Sequence, residues 1–122
     1  MSFDKPVAFI ATANPVESRK FYESTLNLQC LSDDPFVLVF VLGSTTLRIQ
    51  KVEFVPEINH TVLGWEVANI KKCVAELSEK GVIFEKFDQL QQDELRVWSS
   101  PGGASVAWFK DPDGNTLSLT EL

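Results

Sequence analysis

Residues 106–122 read VAWFKDPDGNTLSLTEL, and the rest of the chain is placed relative to them. Two alternating apolar runs flank Asp111-Pro112-Asp113-Gly114-Asn115. In that turn Pro presets one φ, Gly supplies a positive φ, and Asp and Asn bond locally to the backbone, so the segment reads as a β-hairpin. On the second arm, the two-residue period of a strand puts Leu117 and Leu119 on one face. Thr116, Ser118 and Thr120 fall on the other. One face packs, and the other is small and polar.

The 122 residues, 44% hydrophobic and 23% charged, suffice for one globular domain with a real core. No apolar run is long enough to span a bilayer, and Met1 to Pro6 lacks the layout of a signal peptide. The expectation is a soluble, cytoplasmic protein with no membrane partner. A net charge of −6 argues against nucleic acid, because phosphate-backbone binding needs clustered Lys and Arg. Cys30 and Cys73 are too few and too far apart for a disulfide framework or a CxxC site, so both read as reduced packing thiols.

From its start the chain offers a strand over Pro6 to Ala13, then a helix entrance at Asn14-Pro15-Val16-Glu17. Asn can cap, Pro suits the first helical position, and Glu lies where the helix dipole favours it. A helix to about Asn27 is expected, with Phe21, Tyr22 and Leu26 on its apolar stripe. Gln29 to Ser32, Phe36 to Leu42 and Thr45 to Val52 read as strands. The second half repeats this order. His60 to Ala68 is strand-like and Asn69 is placed to cap. Ile70, Cys73, Val74 and Leu77 then give the helical period, and Gly81 supplies a positive-φ stop. Val82 to Phe87 reads as a strand, Gln89 to Glu94 as a polar loop, and Leu95 to Trp98 as a short strand before the final hairpin.

Laying Val7 to Asn14 (VAFIATAN) over Val62 to Asn69 (VLGWEVAN) matches Val, Ala and Asn and brings both helix caps into register. Similar helices and strands follow each copy, which marks an internal repeat. The fold class expected is α+β. Two β-α-β-β-β modules, about 4–55 and about 60–122, form one domain over 1–122, with one curved mixed sheet, a concave pocket and helices outside.

The paired modules, the Phe21-Tyr22 pair, Trp65-Glu66-Val67 before the second helix and FKDPDGNTLSL at the end resemble the vicinal oxygen chelate superfamily. That group includes glyoxalase I, extradiol dioxygenases, fosfomycin resistance enzymes and bleomycin resistance proteins. The resemblance covers nearly the whole chain, and it implies homodimers and a small organic ligand held in the cup of the sheet. In the metalloenzymes of the group, His, Gln and Glu ligands project into the cup from the first and last strands of each module. The positions that match here are Val7, Arg48, Val62 and Ser118. Two valines, a guanidinium and a hydroxyl are not a divalent-metal site. His60, the single histidine, also rules out a two-His-one-carboxylate iron site within one chain. No metal and no cofactor are expected.

The candidate ligand-binding residues follow from strand parity. Arg48, with Gln50 beyond it, can fork onto a carboxylate or phosphate. Glu66 shares parity with Val62 and Gly64, and Ser118 offers a hydroxyl from the last strand. His60 lies at the strand start, where it is either plain surface or a proton-transfer group. Phe9 and Phe40, with Phe36 and Leu38 beside the latter, supply apolar wall, and Trp98 and Trp108 supply flat aromatic surface for a planar or cationic ligand. The same residues serve the hydrophobic core in the plainer reading. No nucleophilic triad and no phosphate loop can be assembled, so no catalytic residue is assigned. The preferred reading is a metal-independent small-molecule-binding protein. The alternative is a small-molecule enzyme of lyase, isomerase or oxygenase type, using such groups for acid-base and electrostatic work or holding a metal.

Overall fold

The computed structural model describes all 122 residues. Strands and helices alternate as β1 (Ala8–Thr12), α1 (Pro15–Lys20), β2 (Cys30–Asp33), β3 (Val37–Leu42), β4 (Thr45–Lys51), β5 (Thr61–Glu66), α2 (Ile70–Glu79), β6 (Trp98–Ser99), β7 (Ser105–Lys110) and β8 (Thr116–Glu121). The chain divides into two compact units, Met1–Glu57 and Ile58–Leu122, called modules one and two below. Each carries its own four-stranded sheet, in the orders β1-β4-β3-β2 and β5-β8-β7-β6. The class is α+β, as the sequence implied. No helix is long and apolar enough to cross a membrane.

The repeat is a repeat of topology. In module one β1 pairs in parallel with β4 while the other neighbours are antiparallel, and in module two β5 pairs in parallel with β8. A parallel pair needs a long crossover, which the intervening helix and strands provide.

In module one the pairing Ile10↔Ile49↔Leu38, with Leu47↔Phe40 beside it, lines up one apolar face. All five side chains are buried, and Tyr22 from the helical segment packs on Phe40 with ring centroids 5.9 Å apart. The helix expected to run to Asn27 stops its α-register at Lys20 and widens through Phe21–Thr25, where the Leu26 N–H reaches back to the Phe21 carbonyl. Asn27, at φ 57°, ends it in the left-handed region that Asn tolerates. The Asn14 side chain makes no capping bond, contrary to expectation. Its own N–H is taken by the Thr12 hydroxyl, and the turn is held instead by the Ser18 N–H on the Asn14 carbonyl.

Module two follows the expected plan more closely at its helix. Asn69 Oδ1 accepts from the Lys72 N–H, Glu121 accepts from the Ile70 N–H, and Gly81 turns the chain away at φ +96°. The helix presents Ile70 and Val74 to the core that holds Ala107, Phe109, Leu117 and Leu119. Val82 to Phe87 is not a sustained strand. Only Phe84 bridges to Phe109, and the Glu85 N–H adds one bond to the Trp108 carbonyl. The short strand expected over Leu95 to Trp98 lies at Trp98–Ser99, because Arg96 sits at φ 68° and breaks extended geometry. That residue is held by Asp93, whose Oδ1 accepts from the N–H groups of both Leu95 and Val97.

The Asp111 turn is built as its sequence suggests. Asp111 Oδ1 accepts from the N–H groups of Asp113 and Asn115, and its Oδ2 accepts from the Asn115 side-chain amide, each at 2.9 Å. Gly114 lies at φ +84°.

Candidate functional site

Each sheet has one face covered by its own helical segment and one that carries the polar and aromatic candidates. In module one the register Phe9↔Arg48↔Val39 and Ala11↔Gln50↔Val37 puts Phe9, Arg48 and Gln50 on that second face. They line a hollow of about 400 Å³ together with Phe36, Val37 and Lys51. Strand parity therefore brings three of the candidates together. Phe40 does not join them. It pairs with Leu47, lies on the opposite face and is wholly buried against Tyr22. Leu38 is buried on the same side. Phe36 reaches the hollow because it precedes β3 in a turn where Asp34 Oδ1 accepts from the N–H groups of Phe36 and Val37, which frees it from the strand's alternation.

The charges of module one are unevenly matched. Lys51 Nζ stands 2.5 Å from Asp33 Oδ1, and Arg19 reaches the other oxygen of the same carboxylate at 3.1 Å and Glu23 at 3.5 Å. The Lys51 hydrogen bond above all, with that of Arg19 behind it, holds the Asp33 carboxyl below the usual carboxylate range. The hydrogen bond that Arg19 donates to Asp33, aided by nearby negative charge, raises the Arg19 pKa in turn. Arg48 takes part in none of these pairs. The residue as a whole is half-buried and stands on an inner strand.

In module two the pairs Gly64↔Ser118↔Trp108 and Glu66↔Thr120↔Val106↔Trp98 put Glu66, Ser118, Trp108 and Trp98 on one face. Trp108 is the centre of an aromatic run. Its ring lies 5.9 Å from Trp98 in a tilted pair and 5.3 Å edge-on from Phe87, and its indole N–H donates to the Thr61 hydroxyl at 3.1 Å. Trp108 and His60 share a hollow of about 300 Å³ with Phe87, Leu90, Asn59 and Gln89. His60 is exposed at its mouth, Nδ1 lying 3.3 Å from the Thr61 carbonyl.

Phe87, Leu90 and Gln89 lie in the stretch that reads as strand end and polar loop. What fixes them is Gln92, whose Oε1 accepts from the Phe87 N–H and whose amide donates to the carbonyls of Glu85 and Arg96. Gln92 is one of three glutamines in that run, with Gln89 and Gln91, and nothing in the sequence singles it out for the role.

The four positions matched to metal ligands fare as follows. Val7 is exposed ahead of β1, and Val62 is the extra residue where the β5–β8 register slips between Thr61 and Leu63. Arg48 and Ser118 lie within inner strands. None of the four offers a donor suited to a divalent cation, and nowhere do three His, Cys, Asp or Glu side chains gather closely enough to hold one.

No protein-family model matches the chain. No curated protein matches it by sequence. Solved structures do match its fold. A glyoxalase/bleomycin resistance protein/dioxygenase superfamily member from Sphaerobacter thermophilus DSM 20745 superposes with a TM-score of 0.76 at 22% identity, over 100% of this chain and 98% of that one. A lactoylglutathione lyase from Agrobacterium tumefaciens gives 0.75 at 13% identity over 99% and 94% of the two chains. TnmS3, an antibiotic binding protein from Streptomyces sp. CB03234, gives 0.71 at 20% identity over 99% and 96%. At such identities the likeness is one of fold.

Proposed function

We propose, for a chain with the fold of the glyoxalase, bleomycin resistance and dioxygenase superfamily, that this protein binds a small organic ligand without a metal ion. The fold alone does not choose, since its solved relatives include a lyase and an antibiotic binder. The observation that supports the reading is the chemistry at the four matched positions, two valines, a guanidinium and a hydroxyl, together with the lack of any cluster of His, Cys, Asp or Glu elsewhere. A Lewis-acid site needs several imidazole, carboxylate or thiolate donors converging with a coordination position left open. The two hollows, by contrast, combine aromatic walls with a few polar groups, the composition of small-molecule sites.

The test is metal retention. Protein purified metal-free, exposed to Zn, Ni, Mn and Fe and then desalted is expected to keep far less than one ion per chain by elemental analysis, with no change in His60→Ala. Stoichiometric retention that depends on His60 overturns the reading.

A further inference from the structure

We propose that the Arg48 hollow of module one takes the carboxylate of a planar aromatic acid, an assignment that rests on the small-molecule-binding reading above. Of the two cations on this hollow, Lys51 is already held by Asp33 at 2.5 Å, and that carboxylate is also engaged by Arg19. The Arg48 guanidinium takes part in no ion pair of its module, so an incoming anion meets it without displacing a carboxylate of that module.

The setting favours one particular anion. Arg48 lies on β4 between Phe9 of β1 and Val39 of β3, all in register, which fixes its base on an inner strand and limits the ordering cost of binding. Gln50 follows on the same face, flanked by Ala11 and Val37, whose short side chains leave the space. One planar fork with an amide beside it matches the two oxygens of a carboxylate. A phosphate dianion calls for more free donors than this single guanidinium and amide supply. Phe9 and Phe36 remain 55% and 79% exposed on the same hollow, and a flat ring would cover them. An aliphatic acid would leave them wet.

Four probes on the full chain test this: 2-naphthoate, its neutral isostere 2-naphthamide, acetate and inorganic phosphate, followed by calorimetry and by backbone amide NMR. Naphthoate is expected to bind and to shift the amides of Phe9, Arg48 and Gln50. Naphthamide should bind weaker by roughly tenfold or more, and acetate and phosphate should leave these amides unmoved at the same concentration. Arg48→Met should erase the preference for acid over amide. Arg48→Lys should also lose roughly tenfold for naphthoate, because a point charge cannot replace the fork. Both variants are first checked for a native amide spectrum, and Gln50→Ala gives a second, milder probe of the same hollow. Equal binding of naphthoate and naphthamide overturns the assignment while leaving a small-molecule binder. Naphthoate shifts confined to other residues overturn it, as does a homodimer that covers Phe9 and Phe36 and binds no acid. Stoichiometric metal retention removes the binder reading itself, whatever the acid preference.

Discussion

Gly64 on β5 lies against Ser118 on β8 so closely that a Cβ on Gly64 would stand 2.5 Å from the Ser118 Oγ and 3.2 Å from its carbonyl oxygen. Contacts that short are not tolerated without movement. The serine hydroxyl therefore occupies, in the register Gly64↔Ser118, the space that a side chain on the neighbouring strand would need.

Gly64→Ala should lower stability by about 1–3 kcal/mol, the range for forced overpacking. Ser118→Ala removes the nearest atom but not the carbonyl, so the double variant should recover part of the loss. Urea midpoints of the three variants measure this, and strict additivity would show that the two residues do not interfere.

Asp111 is buried and holds three donors, two of them backbone N–H groups of the turn. Asp111→Ala leaves those donors without their acceptor and is expected to cost about 2–4 kcal/mol. Asp111→Asn keeps an acceptor for some of them and should cost less. Thermal unfolding of both variants gives the ordering, and a milder effect for Ala than for Asn would contradict it.

Gln92 ties Glu85, Phe87 and Arg96 together through one side chain. Gln92→Ala should loosen residues 85–97 before it unfolds the domain. The expected readout is faster amide hydrogen exchange at Phe87 with little change at core amides such as Leu117, and a loss of about 1–3 kcal/mol in global stability at most.

Asp33 carries a depressed carboxyl, held first by Lys51 and then by Arg19. Because the unfolded chain takes up the proton more readily, the stability this contributes is complete above about pH 4, the range of an unperturbed Asp, and is lost as pH falls through the lower folded value. Asp33→Asn should flatten the fall in stability between pH 5 and roughly pH 3. The effect should be small and shrink further in high salt, since Arg19 is exposed and Asp33 and Lys51 are only partly buried. Denaturation midpoints at two pH values and two salt concentrations provide the comparison.

Local chemistry carried most of the fold. The Asp111 turn, the Asn69 cap, the Gly81 stop and the repeat of Val7 to Asn14 at Val62 to Asn69 each act over a few residues, and each is visible as residue types at fixed offsets. The candidate residues were legible wherever a single strand's alternation decided the face, as for Phe9, for Arg48 with Gln50, and for Ser118. Phe40 was not, because its face depends on how β3 is registered against β4, and a shift of one residue exchanges the two faces. The same holds for Val62, where a bulge breaks the count from His60. The widened turn at Phe21–Thr25 and the loop tied by Gln92 depend on contacts between residues whose types are ordinary for helix and loop.

The last strand made in each module is an inner one: β4 separates β1 from β3, and β8 separates β5 from β7. A growing polypeptide therefore leaves the ribosome with both neighbours of the missing strand already synthesised and neither able to pair through it. Chain-closure entropy has to be met before the ladder can return any free energy, which favours slow, late and cooperative collapse of each half. During translation the unzipped edges of β5 and β7 stand open until Glu121 emerges, the interval in which such a chain is most exposed to sticking to its neighbours.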